Sequence, residues 1–323
     1  MHRQRGDDCV GGQPPVGARR VGPAVTQRGC RPGAVNAVAP REPRRPLGKV
    51  RRELVSIGRR PRKRLGQHFL ADPHVARRIV ELARLGGDDT VVEIGAGLGA
   101  LSDLLAERAA HLWLIELDPE LAARLQERYA ERARVHVVQA DVLTVDFPAL
   151  LRGSGPAVVV ANLPYNISTP VLIRLLEQRG CFSRLVLMLQ REVVERLRAQ
   201  PGSKAYGALS VCVQTAAQVR PGLPVGPEAF VPRPQVESEV VVLEPHRVPP
   251  VQVVDRALME RVVRRVFTQR RKQLANSLRP LCADPSAVLR AAGIDPTRRP
   301  ETLTLAEFAA LSDALGAHLA ERV

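Results

Sequence analysis

From Asp72 onward the apolar residues follow two alternating rhythms. In DPHVARRIVELARL (72–85), Val75, Ile79 and Leu82 share one helical face behind Asp72 and a proline at a first helical position. TVVEIG (90–95) is short and apolar almost throughout, a strand pattern, and ALSDLLAERA (100–109) is helical again. The alternation continues: strand in HLWLIELD (111–118), helix in PELAARLQERYAERA (119–133), strand in RVHVVQAD (134–141). PAVVVANLP (156–164) is a fourth strand, STPVLIRLLEQRG (168–180) a helix and SRLVLMLQ (183–190) a fifth strand. Apolar strands alternating with helices predict a parallel sheet covered on both faces. ESEVVVLE (237–244) reads as a further strand, antiparallel at the sheet edge. After residue 250 only helices are predicted, four of them, in 255–267, 271–281, 285–294 and 304–320. The fold class is α/β, a mostly parallel doubly wound sheet with an antiparallel edge strand, followed by a small all-helical domain. The expected boundaries are 61–248 and 249–323.

Residues 1–60 show neither rhythm. They are rich in Gly, Pro and Arg, and read as a disordered basic extension or an over-extended start. Charge sharpens this division. The net charge is +15, but residues 1–64 hold 17 Lys+Arg against 4 Asp+Glu, whereas the other 259 residues hold 31 against 29. The body of the chain therefore has the balance of an ordinary enzyme, with basic character in the tail and, more weakly, after residue 247. Cys9, Cys30, Cys181, Cys212 and Cys282 are scattered and include no C-x-x-C pair, which suits a reducing, cytoplasmic setting without disulfides or a zinc site. No apolar run approaches the ~20 residues that cross a bilayer. Neither H-E-x-x-H nor G-x-S-x-G occurs, so zincin and α/β-hydrolase chemistry lack their motifs.

Ligands of open α/β sheets bind where strands end, at the switch in strand order. The first strand ends in E-I-G-A-G-L-G-A, with Gly95, Gly97 and Gly99 allowing a tight turn and close backbone approach to a ligand. This loop serves NAD and S-adenosylmethionine (SAM) equally well. About twenty residues on, the second strand ends at Glu116, whose carboxylate can accept both hydroxyls of a ribose. The third ends at Asp141, able to accept from an adenine amino group or to cap the next turn. Together these ends describe an adenosine pocket.

The fourth strand ends in Asn162-Leu163-Pro164-Tyr165. A dehydrogenase has no use for this group, whereas a methyltransferase acting on an exocyclic amine does. The Asn162 side-chain oxygen and the Leu163 carbonyl can each accept an N–H, favouring a pyramidal nitrogen with its lone pair aimed at a methyl donor. Pro164 stiffens the turn, and Tyr165 offers a face on which a flipped base can stack. Positioning and electrostatics then suffice, with no obligatory general base.

These stretches resemble the KsgA/Erm ribosomal RNA adenine N6-dimethyltransferases. The resemblance runs through RKRLGQHFL (62–70), VVEIGAGLGALS (91–102), IELDPELAARL (115–125), ANLPYNISTP (161–170), LMLQREVVERL (187–197), SKAYGALSV (203–211), AFVPRPQVESEVV (229–241) and FTQRRKQLANSL (267–278), and favours the KsgA branch. It implies a Rossmann-like methyltransferase domain with SAM as cofactor. It implies dimethylation of two adjacent adenines in the 3′-terminal hairpin of 16S rRNA, within an immature small ribosomal subunit, by a monomer that needs no metal and no membrane. Alternatives in other classes are an Erm-type enzyme of 23S rRNA and a largely non-catalytic ribosome-assembly factor. Carried onto this chain, the cofactor contacts are His68, Leu70, Gly95, Gly97, Glu116, Asp141 and Asn162. The family often has Asn where His68 stands, which leaves side-chain and backbone contacts both open. Phe230 matches a second aromatic beside the target base, stacking with Tyr165. Candidate RNA contacts are Arg62, Lys63 and Arg64 before the first motif, and Arg264, Arg265, Arg270, Arg271 and Lys272, which recur at helical spacing.

Overall fold

The computed structural model describes residues 47–56, 58 and 67–320. Among the described residues nine strands form in chain order: β1 (Phe69–Leu70), β2 (Thr90–Ile94), β3 (His111–Glu116), β4 (Val135–Gln139), β5 (Ala157–Asn162), β6 (Phe182–Gln190), β7 (Ala217–Val225), β8 (Phe230–Val231) and β9 (Ser238–Pro245). Seven of them build one sheet in the order β4-β3-β2-β5-β6-β9-β7. The β4 to β6 part is parallel, and β9 pairs antiparallel with both β6 and β7. β1 and β8 form a separate antiparallel pair, with Leu70 opposite Phe230.

The run of β-branched residues explains why β5 is central. Val159 and Ala161 point into one core layer, with Leu172 and Leu175 of the helix Ser168–Glu177. Val158 and Val160 point into the other, with Ile79 and Val80 of the helix Pro73–Ala83. Alternate side chains thus feed both faces. The second helix starts where expected: Asp72 Oδ1 accepts from the backbone N–H groups of His74 and Val75, ahead of Pro73. A third core joins the C-terminal helices Arg256–Phe267, Leu274–Leu278, Pro285–Ala291 and Leu305–Ala320. It also takes in Ala199, Tyr206 and Val211, upstream of residue 249.

Two expectations are corrected. The strand at 238–245 is not the edge strand, because β7 lies outside it. AQVRPGLPV hides its strand character behind two prolines and a glycine, residues that edge strands tolerate because one side needs no ladder. The stretch read as wholly disordered contains a helix, Leu47–Ser56, with Leu54 buried. Its apolar residues are too few to announce a helix among so many arginines.

Candidate active site

The order of strands reverses between β2 and β5, and their carboxyl ends lie side by side, with Ile94 opposite Ala161. One cleft opens there. It is lined by Gln67 to Leu70, the run Glu93 to Leu98, Glu116, Asp141, Val142 and the turn Asn162 to Ile167. Every residue expected to hold the cofactor is on its wall: His68, Leu70, Gly95, Gly97, Glu116, Asp141 and Asn162. Leu163, Pro164 and Tyr165 are there too.

The glycine loop has the backbone that only glycine adopts readily, with φ of 72° at Gly95 and 58° at Gly97. A Cβ on Gly97 would lie 3.3 Å from the Phe69 ring, so the loop is pressed against the first motif. Gly97 N–H donates to Glu116 Oε2 (2.8 Å) and Asp118 N–H donates to Oε1 (2.9 Å). These bonds fix the carboxylate, which keeps acceptor capacity for a ribose hydroxyl. Burial raises the Glu116 pKa, and the same backbone N–H groups oppose that rise. Asp141 Oδ1 accepts from Leu143 N–H (3.0 Å), so the capping role and a place on the cleft wall coexist.

Asn162 is oriented by its neighbours. Its Nδ2 donates to the His68 carbonyl (3.0 Å), which leaves Oδ1 as the acceptor available to a ligand. Leu163 is buried and its N–H donates to the Met188 carbonyl (3.3 Å), so β6 pins the turn from the other side. The turn then closes through Ile167 N–H to the Pro164 carbonyl and Ser168 Oγ to the Tyr165 carbonyl, both 3.1 Å. His68 is engaged twice more: its ring stacks on Tyr165 at 5.4 Å between centroids, and Nδ1 lies 2.8 Å from the Pro232 carbonyl.

Glu93 joins these residues without a motif to mark it. It is 2% exposed, lines the cleft, and its Oε2 has no hydrogen-bond partner. Burial pushes its pKa up to about 8, the Ser102 hydroxyl working against this and the charge of Glu116 adding to it. The signal was a lone acid inside an apolar strand, which is costly unless something cationic uses it.

Phe230 is not at the site. It is 1% exposed and belongs to the core beneath, because pairing with β1 turns its ring inward beside Leu70. The basic run is also rearranged. Its helix ends at Phe267 and the chain turns, so the cations do not share one helical face. Arg270 donates to the carbonyls of Lys204 and Ser203, and Arg265 to that of Ser277. These two serve the fold, while Arg264, Arg271 and Lys272 are exposed. Arg62, Lys63 and Arg64 lie outside the described residues.

A doubly wound sheet with this strand order, a glycine loop and an Asn-Leu-Pro-Tyr turn at the switch point defines a Rossmann-like methyltransferase. The sequence matches the model of the ribosomal RNA adenine dimethylases over residues 58–315. It is 45% identical to the ribosomal RNA small subunit methyltransferase A of Magnetococcus marinus over 267 residues, 82% of this chain and 96% of that one. With its namesake from Nitrosococcus oceani the identity is 48% over 257 residues, covering 80% and 97%. The fold superposes on a dimethyladenosine transferase from Plasmodium falciparum (TM-score 0.65, 24% identity, 76% and 96% covered). It also superposes on the 23S rRNA methyltransferase ErmE (TM-score 0.58, 26% identity, 77% and 99% covered). The chain belongs to the ribosomal RNA adenine dimethylase family.

Proposed function

We propose that this protein transfers methyl groups from SAM to the N6 amino groups of two adjacent adenines in the 3′-terminal hairpin of 16S rRNA. It would do so in the cytoplasm, as a monomer, on an immature small subunit. The observation that carries this reading is the Asn162 amide on the cleft wall beside the glycine loop, its Nδ2 taken by the His68 carbonyl so that Oδ1 is left to accept. Small-subunit rRNA is preferred to large-subunit rRNA because the relatives with 45% and 48% identity bear that name, whereas ErmE stands at 26%.

The residues present fit SAM. Glu116 and Asp141 offer acceptors for a ribose and an adenine, and the orphaned Glu93 oxygen offers one for an ammonium group. When bound, SAM supplies an electrophilic methyl on a sulfonium. The chain's own part is to present the nucleophile. Asn162 Oδ1 and the Leu163 carbonyl each accept a hydrogen bond from the N6 amino group, drawing the nitrogen lone pair out of the purine ring; the new N–CH3 bond replaces the S–CH3 bond, the thioether leaves, and the methylated nitrogen gives up a proton to solvent. Tyr165 supports the flipped base by stacking, worth about 1–3 kcal/mol. Burial raises the Tyr165 pKa, so its hydroxyl stays protonated at neutral pH. An adenine held this way needs little further organisation to react.

Incubation with labelled SAM and small subunits lacking N6-methylated adenine tests the reading. Label is expected on the adenines of that hairpin. Asn162→Ala is expected to lower the rate about 100-fold or more, as loss of a transition-state hydrogen bond does, while subunit binding persists. Absence of label with a correctly folded preparation rejects the reading.

A further inference from the structure

We propose that Ser238 is a positioning residue for methyl transfer: its hydroxyl ties the Tyr165 phenol so that one ring face stays open to the adenine, His68 closing the other. The inference rests on the function proposed above and deepens it.

Tyr165 OH and Ser238 Oγ are 2.5 Å apart. Ser238 is 1% exposed and opens β9 between two strands, opposite Gln190 of β6 and Val225 of β7. The preceding residue is fastened as well: the Glu237 carbonyl accepts from Arg191 N–H (3.0 Å) and its carboxylate pairs with the Arg191 guanidinium. The hydroxyl therefore sits at a fixed point of the sheet, and a buried hydroxyl so placed needs a partner. Tyr165 supplies it.

The other anchor comes from the same segment. A carbonyl only accepts, so His68 Nδ1 donates the proton in its bond to Pro232. That bond holds the imidazole against Tyr165 with 28° between the ring planes. One face of Tyr165 is thus occupied, and a base approaching Asn162 has the opposite face.

A tyrosine ring on a turn can rotate about two side-chain torsions. Fixing the hydroxyl end and one face removes that freedom before the substrate arrives, so the base plane is set relative to Asn162 Oδ1. A small error in ring tilt displaces N6 from both acceptors, which costs rate more than affinity.

Ser238→Ala removes only the hydroxyl, and Tyr165→Phe removes the other end of the same bond. Single-turnover methylation of under-methylated small subunits by Ser238→Ala is expected to be about tenfold slower than wild type, with SAM affinity unchanged. Tyr165→Phe should match it, the double variant should be no slower than either, and Ser238→Thr should restore most of the rate. Quenching of 2-aminopurine at the target position of an RNA hairpin should fall in both single variants, reading base stacking without any methyl transfer. Wild-type rate and quenching in Ser238→Ala would overturn the inference, as would multiplying losses in the double variant or a parallel loss of SAM affinity. A wild-type protein that labels no rRNA rejects the functional reading instead, and the quenching measurement then decides the Ser238–Tyr165 link alone.

Discussion

Glu93 shows how a single residue can carry both a cost and a use. In the unfolded chain its carboxyl ionises near 4.5, and in the fold near 8. Between those values the folded state holds a proton that the unfolded state has released, so stability falls as pH rises through the window and levels off above about 8. Glu93→Gln abolishes that dependence. Its melting temperature should exceed that of wild type at about pH 8.5 and converge with it at about pH 4, below the unfolded value, where the carboxyl is protonated in both states. The same substitution should weaken SAM binding about tenfold, because a buried carboxylate is the natural partner of a ligand ammonium. Glu116 and Asp141 were readable from their places at strand ends. Glu93 shows only as a lone acid in VVEIG, a signal that does not say whether the acid faces a cleft or an exposed rim. Phe230 failed for the opposite reason: a motif match gives no information about which face of a two-residue strand a ring occupies.

Elements with strong periodicity are legible in the sequence, and those interrupted by turn residues are not. β2 through β6 and the helices Ser102–Ala106, Pro119–Arg128 and Ser168–Glu177 follow from apolar runs and caps, whereas the single turn of helix at Phe147–Leu150 is too short to show a period. β7 was missed, and its composition now has a cause. Gly222 lies where β7 shifts register against β9, and a Cβ there would meet the Val240 carbonyl at 2.4 Å. Backbone cannot yield as a flexible side chain does, so Gly222→Ala should destabilise the protein by about 2–3 kcal/mol. Chemical denaturation should show a lower midpoint with an unchanged slope.

At the scale of the whole molecule, the third core spans sequence positions that looked separate. The loop at 200–207 is held by Gly202 N–H on the Glu301 carbonyl (2.6 Å), by the buried Tyr206 hydroxyl on the Leu303 carbonyl (2.9 Å), and by Arg270 on Ser203 and Lys204. Such long-range bonds leave no periodic trace, which is why the basic run looked like one uniform surface. Its members should separate by experiment. Arg270→Ala should cost about 1–2 kcal/mol of stability through two lost hydrogen bonds. Arg271→Ala should leave stability within about 0.5 kcal/mol but weaken rRNA binding and reduce the slope of log affinity against log salt by about one. Denaturation and binding titrations at several salt concentrations distinguish them.

The order of strands also sets a schedule for biosynthesis. β7 leaves the ribosome before β9, yet its strand partner in the sheet is β9, which must slot in between β6 and β7. β9 also brings Ser238 to Tyr165. A chain that ends before residue 238 lacks β9, and with it both the strand that pairs with the β6 edge and the hydroxyl that meets Tyr165. The strand that joins β6 to β7 is therefore also the one that fastens the tyrosine, so sheet closure and the anchoring of the turn depend on the same segment.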